Sequence, residues 1–353
     1  MGFRKSRLRW IFMINKEKIK FGVIGCGLIT EYIKPITKII ENVDLIAAVD
    51  PILDRAIKVA GKDHSYKDVE KMYANEDLDA VYIATPHNLH KPMIDQALKE
   101  GKHVFCEKPV SATIEDAREI LILQRKYPNL KIGFNYQYRY DYNCYNLVQG
   151  IQKGHIGKVY YANCNIFFSR EQDYIQEGSW RANLKTSGGG TLLIHGSHVL
   201  DIILWAFGNP LSVLGKIDNL KFKNIEVEDI GFGIVKFENN VYTQINDSMI
   251  IKPIKKKIED RVELNIYGEN GSCSYEGPWP FSSLKWYGVT DFRIKDNLPG
   301  TSHFSECLKA FCNWILNDIP FYNTVEESSK VLSLITALYK SSKTGREEKI
   351  ELI

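Results

Sequence analysis

Two rhythms of apolar and polar residues divide the chain. Through residue 134, short apolar runs alternate with segments whose apolar positions recur every three or four residues. Residues 19–24, 45–49, 80–84, 101–106 and 131–135 read as buried strands. Between them lie helical segments, one carrying Val69 and Met72 and another running from Pro92 to Glu100. Strand–helix alternation of this kind predicts an α/β unit with a doubly wound parallel sheet. After the turn Gly154-His155-Ile156-Gly157 the rhythm changes. Residues 159–167, 231–237, 241–249, 262–267 and 272–275 are strand-like, and helical periodicity is scarce up to about residue 290. A second, α+β unit with a large, mostly antiparallel open sheet follows, one face covered and one open. Residues 304–317 and 325–342 read as two amphipathic helices, the second stopped by Thr344-Gly345.

The hinge between the units is expected near residues 133–140. This gives a dinucleotide-binding unit over 16–134 and a substrate-binding and oligomerisation unit over 135–353. Residues 1–15 read as a disordered leader. Arg4, Lys5, Arg7 and Arg9 before Trp10-Ile11-Phe12-Met13-Ile14 imitate a signal peptide, but the apolar run is short and no small-residue cleavage site follows. The 353 residues are 44% hydrophobic and 25% charged, enough apolar material for two cores. A net charge of +3 is too mild to argue for nucleic acid. No run reaches the roughly 18 apolar residues of a membrane span. Seven cysteines without CxxC or zinc spacing read as free thiols in a reducing, cytoplasmic setting.

The candidate chemistry sits at strand ends, where parallel sheets bind ligands. Strand 19–24 runs into Gly25-Cys26-Gly27-Leu28-Ile29-Thr30, a G-x-G-x-x-G pattern with Thr in the third place. The first glycine makes the turn, the second admits a pyrophosphate, and the next helix offers its N-terminus. Thr30 is expected to loosen the helix–strand contact slightly. The next strand ends in Asp50, placed to meet the adenosine ribose hydroxyls or to cap a helix. A carboxylate there repels a 2′-phosphate, so the expected cofactor is NAD rather than NADP. Strand 80–84 stops at Thr85-Pro86-His87-Asn88-Leu89-His90, expected to line the cofactor groove or to cap the following helix. No acid or thiol is spaced to complete a metal site with His87 and His90. Strand 101–106 ends in Glu107-Lys108-Pro109. A lysine beside a nicotinamide ring has its pKa lowered by desolvation and like charge, and it can hydrogen-bond a substrate oxygen.

With Gly25, Gly27, Asp50, Thr85-Pro86, Asn88, His90 and Glu107-Lys108-Pro109 in place, the chain resembles the Gfo/Idh/MocA oxidoreductases, NAD(P)-dependent sugar and cyclitol dehydrogenases. The resemblance extends to the C-terminus. It implies that Asn135 belongs to the cofactor side, with Tyr138 and Arg139 where the two units meet. It also implies that Gly188-Gly189-Gly190-Thr191-Leu192-Leu193-Ile194-His195-Gly196-Ser197-His198-Val199-Leu200-Asp201 is the family's glycine-triplet helix. His198 then takes the catalytic histidine position beside Lys108. At helical spacing Ile194, His198 and Asp201 share a face. Ile194 departs from the family's aspartate. Either the substrate group it faces is apolar, such as an acetamido methyl, or His195 or Arg181 supplies the missing polar contact. The expected activity is NAD-dependent oxidation of a secondary hydroxyl on a sugar, leaning to a nucleotide sugar such as a UDP-N-acetylhexosamine oxidised at C3. An inositol or free hexose is the alternative substrate. An NAD-dependent glycosidase and a non-catalytic dinucleotide sensor are alternative functions. Family sheets pair across subunits, so a homodimer or homotetramer is expected. Lys252-Pro253-Ile254-Lys255-Lys256-Lys257 reads as a solvated hairpin or, alternatively, a diphosphate contact.

Overall fold

The computed structural model describes residues 18–252, 260–277, 282–294 and 303–353. The expected leader lies outside them. Six parallel strands form the first sheet: β1 (Ile19–Ile24), β2 (Val43–Val49), β3 (Ser65–Tyr66), β4 (Ala80–Ile83), β5 (His103–Cys106) and β6 (Ile132–Phe134). Their order is β3-β2-β1-β4-β5-β6. The strand order reverses between β1 and β4, and that reversal opens a crevice at their carboxyl ends. The connecting helices are α1 (Thr30–Thr37), α2 (Leu53–Ala60), α3 (Val69–Asn75), α4 (His90–Lys99) and α5 (Ile114–Lys126). α4 starts two residues before Pro92. A proline is tolerated there because first-turn N–H groups have no intrahelical partner.

A short turn, Gln137–Tyr140, and α6 (Tyr142–Gln152) lead to the second sheet. Its strands are β7 (Val159–Phe168), β8 (Pro210–Asp218), β9 (Ile230–Phe237), β10 (Tyr242–Ser248), β11 (Asp260–Gly268), β12 (Ser272–Gly277), β13 (Ser283–Tyr287) and β14 (Glu348–Lys349). The order is β13-β12-β11-β7-β10-β9-β8-β14, antiparallel except for the β7–β10 pair. The remaining helices are α7 (Leu184–Ser187), α8 (Ser197–Phe207), α9 (His303–Asn317) and α10 (Val325–Thr344). The inward side chains Ala162, Cys164 and Ile166 of β7 join Leu193, Val199 and Ile203 in one core, which continues into Ile24, Val81 and Val104 of the first sheet.

Three expectations are corrected. β10 and β11 flank the lysine-rich segment but are not neighbours, because β7 lies between them. β10 and β11 therefore do not form a hairpin; residues 253–259 lie outside the described residues. The helix at 304–317 falls in the expected second unit, 135–353, but it does not pack there alone. α9 packs Phe304, Leu308 and Phe311 against Phe21, Val23 and Phe105 of the first sheet, with Phe105 and Phe311 rings 5.1 Å apart. Finally, the run Leu184–Phe207 passes as a bilayer span by length and composition, yet 89% of its 18-residue apolar window is buried within the fold. Within it, α8 is a core helix, buried on nearly every side.

Candidate active site

The crevice is built from strand ends. Gly25 has φ +87°, and a Cβ there would lie 2.7 Å from the Ala84 carbonyl oxygen, so this turn requires glycine. At Gly27 a Cβ would meet nothing within 4 Å, which leaves the backbone open to a ligand. Asp50 closes the loop from below. Its Oδ2 accepts the Cys26 N–H at 2.8 Å and its Oδ1 accepts the Ile52 N–H at 2.8 Å. Thr30 is buried and its hydroxyl donates to the Gly27 carbonyl at 2.6 Å. The expected loosening does not arise at its polar end, because the loop itself takes up the hydroxyl. Burial, then the Asp50 charge, pushes the Cys26 thiol up to about 12, which makes it inert.

Thr85 Oγ1, Asn88 Oδ1 and Asn135 Oδ1 are buried with no hydrogen-bond partner among the described residues. The two histidines of the β4 loop do not do the same thing. His90 is fully buried, with Nδ1 2.9 Å from the Pro109 carbonyl and Nε2 3.2 Å from the Thr85 carbonyl. It pins the β4 and β5 ends together and does not line the groove. Burial lowers it to about 4, so it is neutral. His87 reaches across to the second half. Its Nδ1 lies 2.6 Å from the Ser187 carbonyl and its ring meets Trp180 edge-on at 4.8 Å.

Glu107 turns back into the sheet, where its Oε1 accepts the Tyr82 hydroxyl and the Asn135 amide (2.7 Å). Burial raises its pKa, and those bonds oppose the rise. Lys108 extends the other way, and its Nζ donates to the Ile194 carbonyl at 2.5 Å. Burial lowers its pKa to about 8; Glu107 opposes the shift and Arg181 adds to it.

The segment that receives Lys108 is not a plain α-helix. Residues 192–196 form a π-turn before α8 begins. The expected α-spacing of Ile194 against His198 is therefore widened. Gly190 and Gly196 allow the turn to form: a Cβ on Gly190 would lie 1.8 Å from the Glu228 carbonyl oxygen, and one on Gly196 2.0 Å from Asp247 Oδ2. Ile194 is buried and offers its carbonyl. His195 stacks on Phe168 at 4.5 Å and Tyr174 at 5.4 Å, its Nε2 buried and unpartnered among the described residues. His198 stacks on Tyr138 at 4.8 Å. Burial first, then the charges of Lys108, His303 and His195, hold it well below the usual histidine range, so it is neutral at pH 7. Asp201 does not reach the cleft. It accepts both Arg139 Nε (2.8 Å) and Nη2 (2.7 Å) in a pair with 2% and 1% side-chain exposure. Arg181 lies 4.7 Å over both the Tyr174 and Trp180 rings.

Lys108 and the Ile194 turn thus meet at the end of β5, on the sheet edge that carries the open glycine loop. Residues 19–134 match the model of an oxidoreductase family with an NAD-binding Rossmann fold, and residues 146–274 match the GFO/IDH/MocA C-terminal domain. The chain belongs to the Gfo/Idh/MocA oxidoreductase family. It is similar to the 1,5-anhydro-D-fructose reductase of Ensifer adhaerens, 29% identical over 81% of this chain and 84% of that one. It is also similar to the D-glucoside 3-dehydrogenase of Escherichia coli, 21% identical over 94% and 97%. The WlbA dehydrogenase of Chromobacterium violaceum, solved with NADH and UDP-GlcNAcA, superposes with a TM-score of 0.82 and 25% identity over 96% of this chain and 98% of that one.

As a member of this family the chain is an NAD-dependent oxidoreductase. The residues fit that cofactor: an open backbone at Gly27, a carboxylate at the end of β2, and orphaned polar atoms on Thr85 and Asn88 along the crevice. Sequence reasoning missed His303. It opens α9, receives the Gln137 amide on Nε2 at 3.1 Å and meets the Tyr138 ring edge-on at 5.6 Å. It also missed Phe168 and Tyr174, which support His195, and the buried carboxyls Glu228 and Asp247 beneath the π-turn. Asp247 lies within the strand read at 241–249, but nothing in the sequence gave it, or the others, a place at the site. Among the described residues no group of three or more His, Cys, Asp or Glu side chains converges as a metal site would require.

Proposed function

We propose that the protein oxidises a secondary hydroxyl of a sugar, with Lys108 and His198 acting on the same oxygen, and that the sugar belongs to a nucleotide sugar. The carrying observation is the Lys108 Nζ contact to the Ile194 carbonyl, which brings the ammonium onto the π-turn that leads directly into α8 and His198. Bound NAD supplies the hydride acceptor. Gly25, Cys26, Gly27, Leu28 and Ile29 hold its pyrophosphate, and Asp50 its adenosine ribose. Thr85, Pro86, His87, Asn88 and Asn135 line its nicotinamide side, with Glu107 bracing Asn135. His198, neutral at pH 7, takes the hydroxyl proton. Lys108, charged, donates to the same oxygen and stabilises the negative charge developing there. Tyr138, Arg181, Ile194 and His195 bound the sugar.

Two observations favour the nucleotide sugar. Ile194 presents no carboxylate to a sugar hydroxyl, which suits an apolar substituent such as an acetamido methyl. The WlbA relative was solved with UDP-GlcNAcA. The Escherichia coli relative, a D-glucoside 3-dehydrogenase, favours a simple glycoside as the second reading. Seven buried free cysteines suit a reducing cytosol. The experiment is a panel of UDP-sugars, inositols, hexoses and glycosides incubated with NAD and followed at the NADH absorbance. A UDP-N-acetylhexosamine is expected to give the highest kcat/KM. Sugar release without net NADH would point to the glycosidase instead, and NADH formation from glycosides alone would favour the second reading.

A further inference from the structure

We infer that Glu228 is a positioning residue for Lys108: its carboxylate fixes the start of the π-turn, and so the place at which the Ile194 carbonyl meets the lysine ammonium. This rests on Lys108 being the charged donor of the reaction proposed above.

The partner of Lys108 is a backbone oxygen, the Ile194 carbonyl at 2.5 Å. A partner side chain could follow the ammonium by changing rotamer; a carbonyl goes where its turn goes. The turn is tied at its start. Glu228 is buried just ahead of β9. Its Oε2 accepts the Gly190 N–H at 2.8 Å and its Oε1 accepts the Leu192 N–H at 3.1 Å. The Gly190 carbonyl in turn accepts the Ile194 N–H at 2.8 Å. Hydrogen bonds in series thus run from Glu228 through Gly190 and Ile194 to Lys108. A further donor, the Tyr339 hydroxyl of α10, reaches Glu228 Oε1 at 2.8 Å. A Cβ on Gly189 would lie 2.1 Å from that hydroxyl, so the turn also rests on Tyr339.

The Gly190, Leu192 and Tyr339 partners all donate, which suits an ionised carboxylate, an acceptor at both oxygens. Burial raises the Glu228 pKa and these bonds oppose the rise. Its neighbour Asp247 takes the Thr191 hydroxyl instead, at 2.6 Å, and is pushed up by burial first and then by the Glu228 charge. The charges that act on Lys108 are those of Glu107 and Arg181, so Glu228 works through the backbone. Glu228→Gln keeps the shape but, either way round, sets an amide N–H against a backbone N–H of the turn. The Ile194 carbonyl then shifts. The ammonium loses an acceptor that favours its charged form, and the Lys108 pKa falls below its value of about 8. His87, His90, His195 and His198 also sense Lys108, but burial holds all four below the usual histidine range and away from this window.

The test is competitive acetylation of Lys108 in the full-length protein as a function of pH, read by mass spectrometry. The pH profile of kcat/KM with NAD and the best sugar of the panel accompanies it. Glu228→Gln should lower the Lys108 pKa by about one unit and carry the alkaline limb of kcat/KM down with it. At neutral pH kcat/KM should fall about tenfold or more while NADH affinity stays within about threefold. Tyr339→Phe removes one donor and should shift Lys108 in the same direction. Met72→Ala, a cavity in the core of the first sheet, should lower stability and leave the Lys108 pKa in place. An unmoved Lys108 pKa in Glu228→Gln, or an equal shift in Met72→Ala, would overturn the inference. If Glu228→Gln does not fold, Tyr339→Phe decides, and a wild-type Lys108 pKa there overturns it. Acetylation needs no turnover. A shifted Lys108 pKa with no NADH from any sugar would leave the inference standing and sink the dehydrogenase reading; NADH formation with an unmoved Lys108 would do the reverse.

Discussion

Lys108 carries its charge where burial and Arg181 both resist it, and its pKa falls to about 8. Its charged form is the hydrogen-bond donor in the proposed reaction. A lowered lysine pKa means that this form is lost as pH rises through that value. In the oxidation direction kcat/KM should therefore fall on the alkaline side of about pH 8, and Lys108→Arg should remove that limb, since a guanidinium does not titrate there. A rate that instead rises through the same pH would exchange the roles of Lys108 and His198. Lys108 and Asp50 were legible in the sequence because a strand end is a place that chain order reveals. His90 and His303 were not. A motif shows that His90 is near the groove but not that its ring is wedged between the Pro109 and Thr85 carbonyls, and His303 reaches Tyr138 only through the packing of α9.

The catalytic turn depends on how elements press on one another. The π-turn at 192–196 exists because Gly190 and Gly196 let the chain lie directly on Glu228 and Asp247. Periodicity assumes a uniform 3.6-residue repeat, so a five-residue turn within an apolar run leaves no mark in the sequence. Gly196→Ala would force a Cβ towards the buried Asp247 carboxyl, and a loss of about 1–3 kcal/mol in urea unfolding is expected, as for other overpacked cores. Arg139 ties three elements together, pairing with Asp201 of α8, Glu327 of α10 and the Tyr322 carbonyl. Arg139→Met strands a buried carboxylate and should cost roughly 3–5 kcal/mol by the same measurement. Asp201 itself was visible as the trailing residue of a helix pattern. Its partner was not, because tertiary contact alone brings the 137–140 turn onto α8.

At the scale of the molecule, the second sheet leaves apolar and aromatic side chains exposed on one face. Tyr161 stands between Tyr242 and Tyr267 across β10, β7 and β11, and Leu214 and Ile234 are paired on β8 and β9, all with substantial exposure. A face of this kind suits pairing with a second copy. Light scattering should give at least twice the 40.5 kDa chain mass, and Ile234→Arg should reduce it; a wild-type monomer would contradict the pairing. The parallel-then-antiparallel architecture was readable from two rhythms of apolar residues. The return of α9 to the first sheet was not, because an amphipathic helix shows that it has a buried face but not what covers it. The proposed chemistry needs one amine and one imidazole to share a substrate oxygen beside NAD. Lys108→Met, assayed with the best substrate of the panel, tests this most directly. Turnover should drop by about 10²–10⁴-fold while NADH affinity by fluorescence titration is retained. Near-normal turnover in that variant would contradict the account.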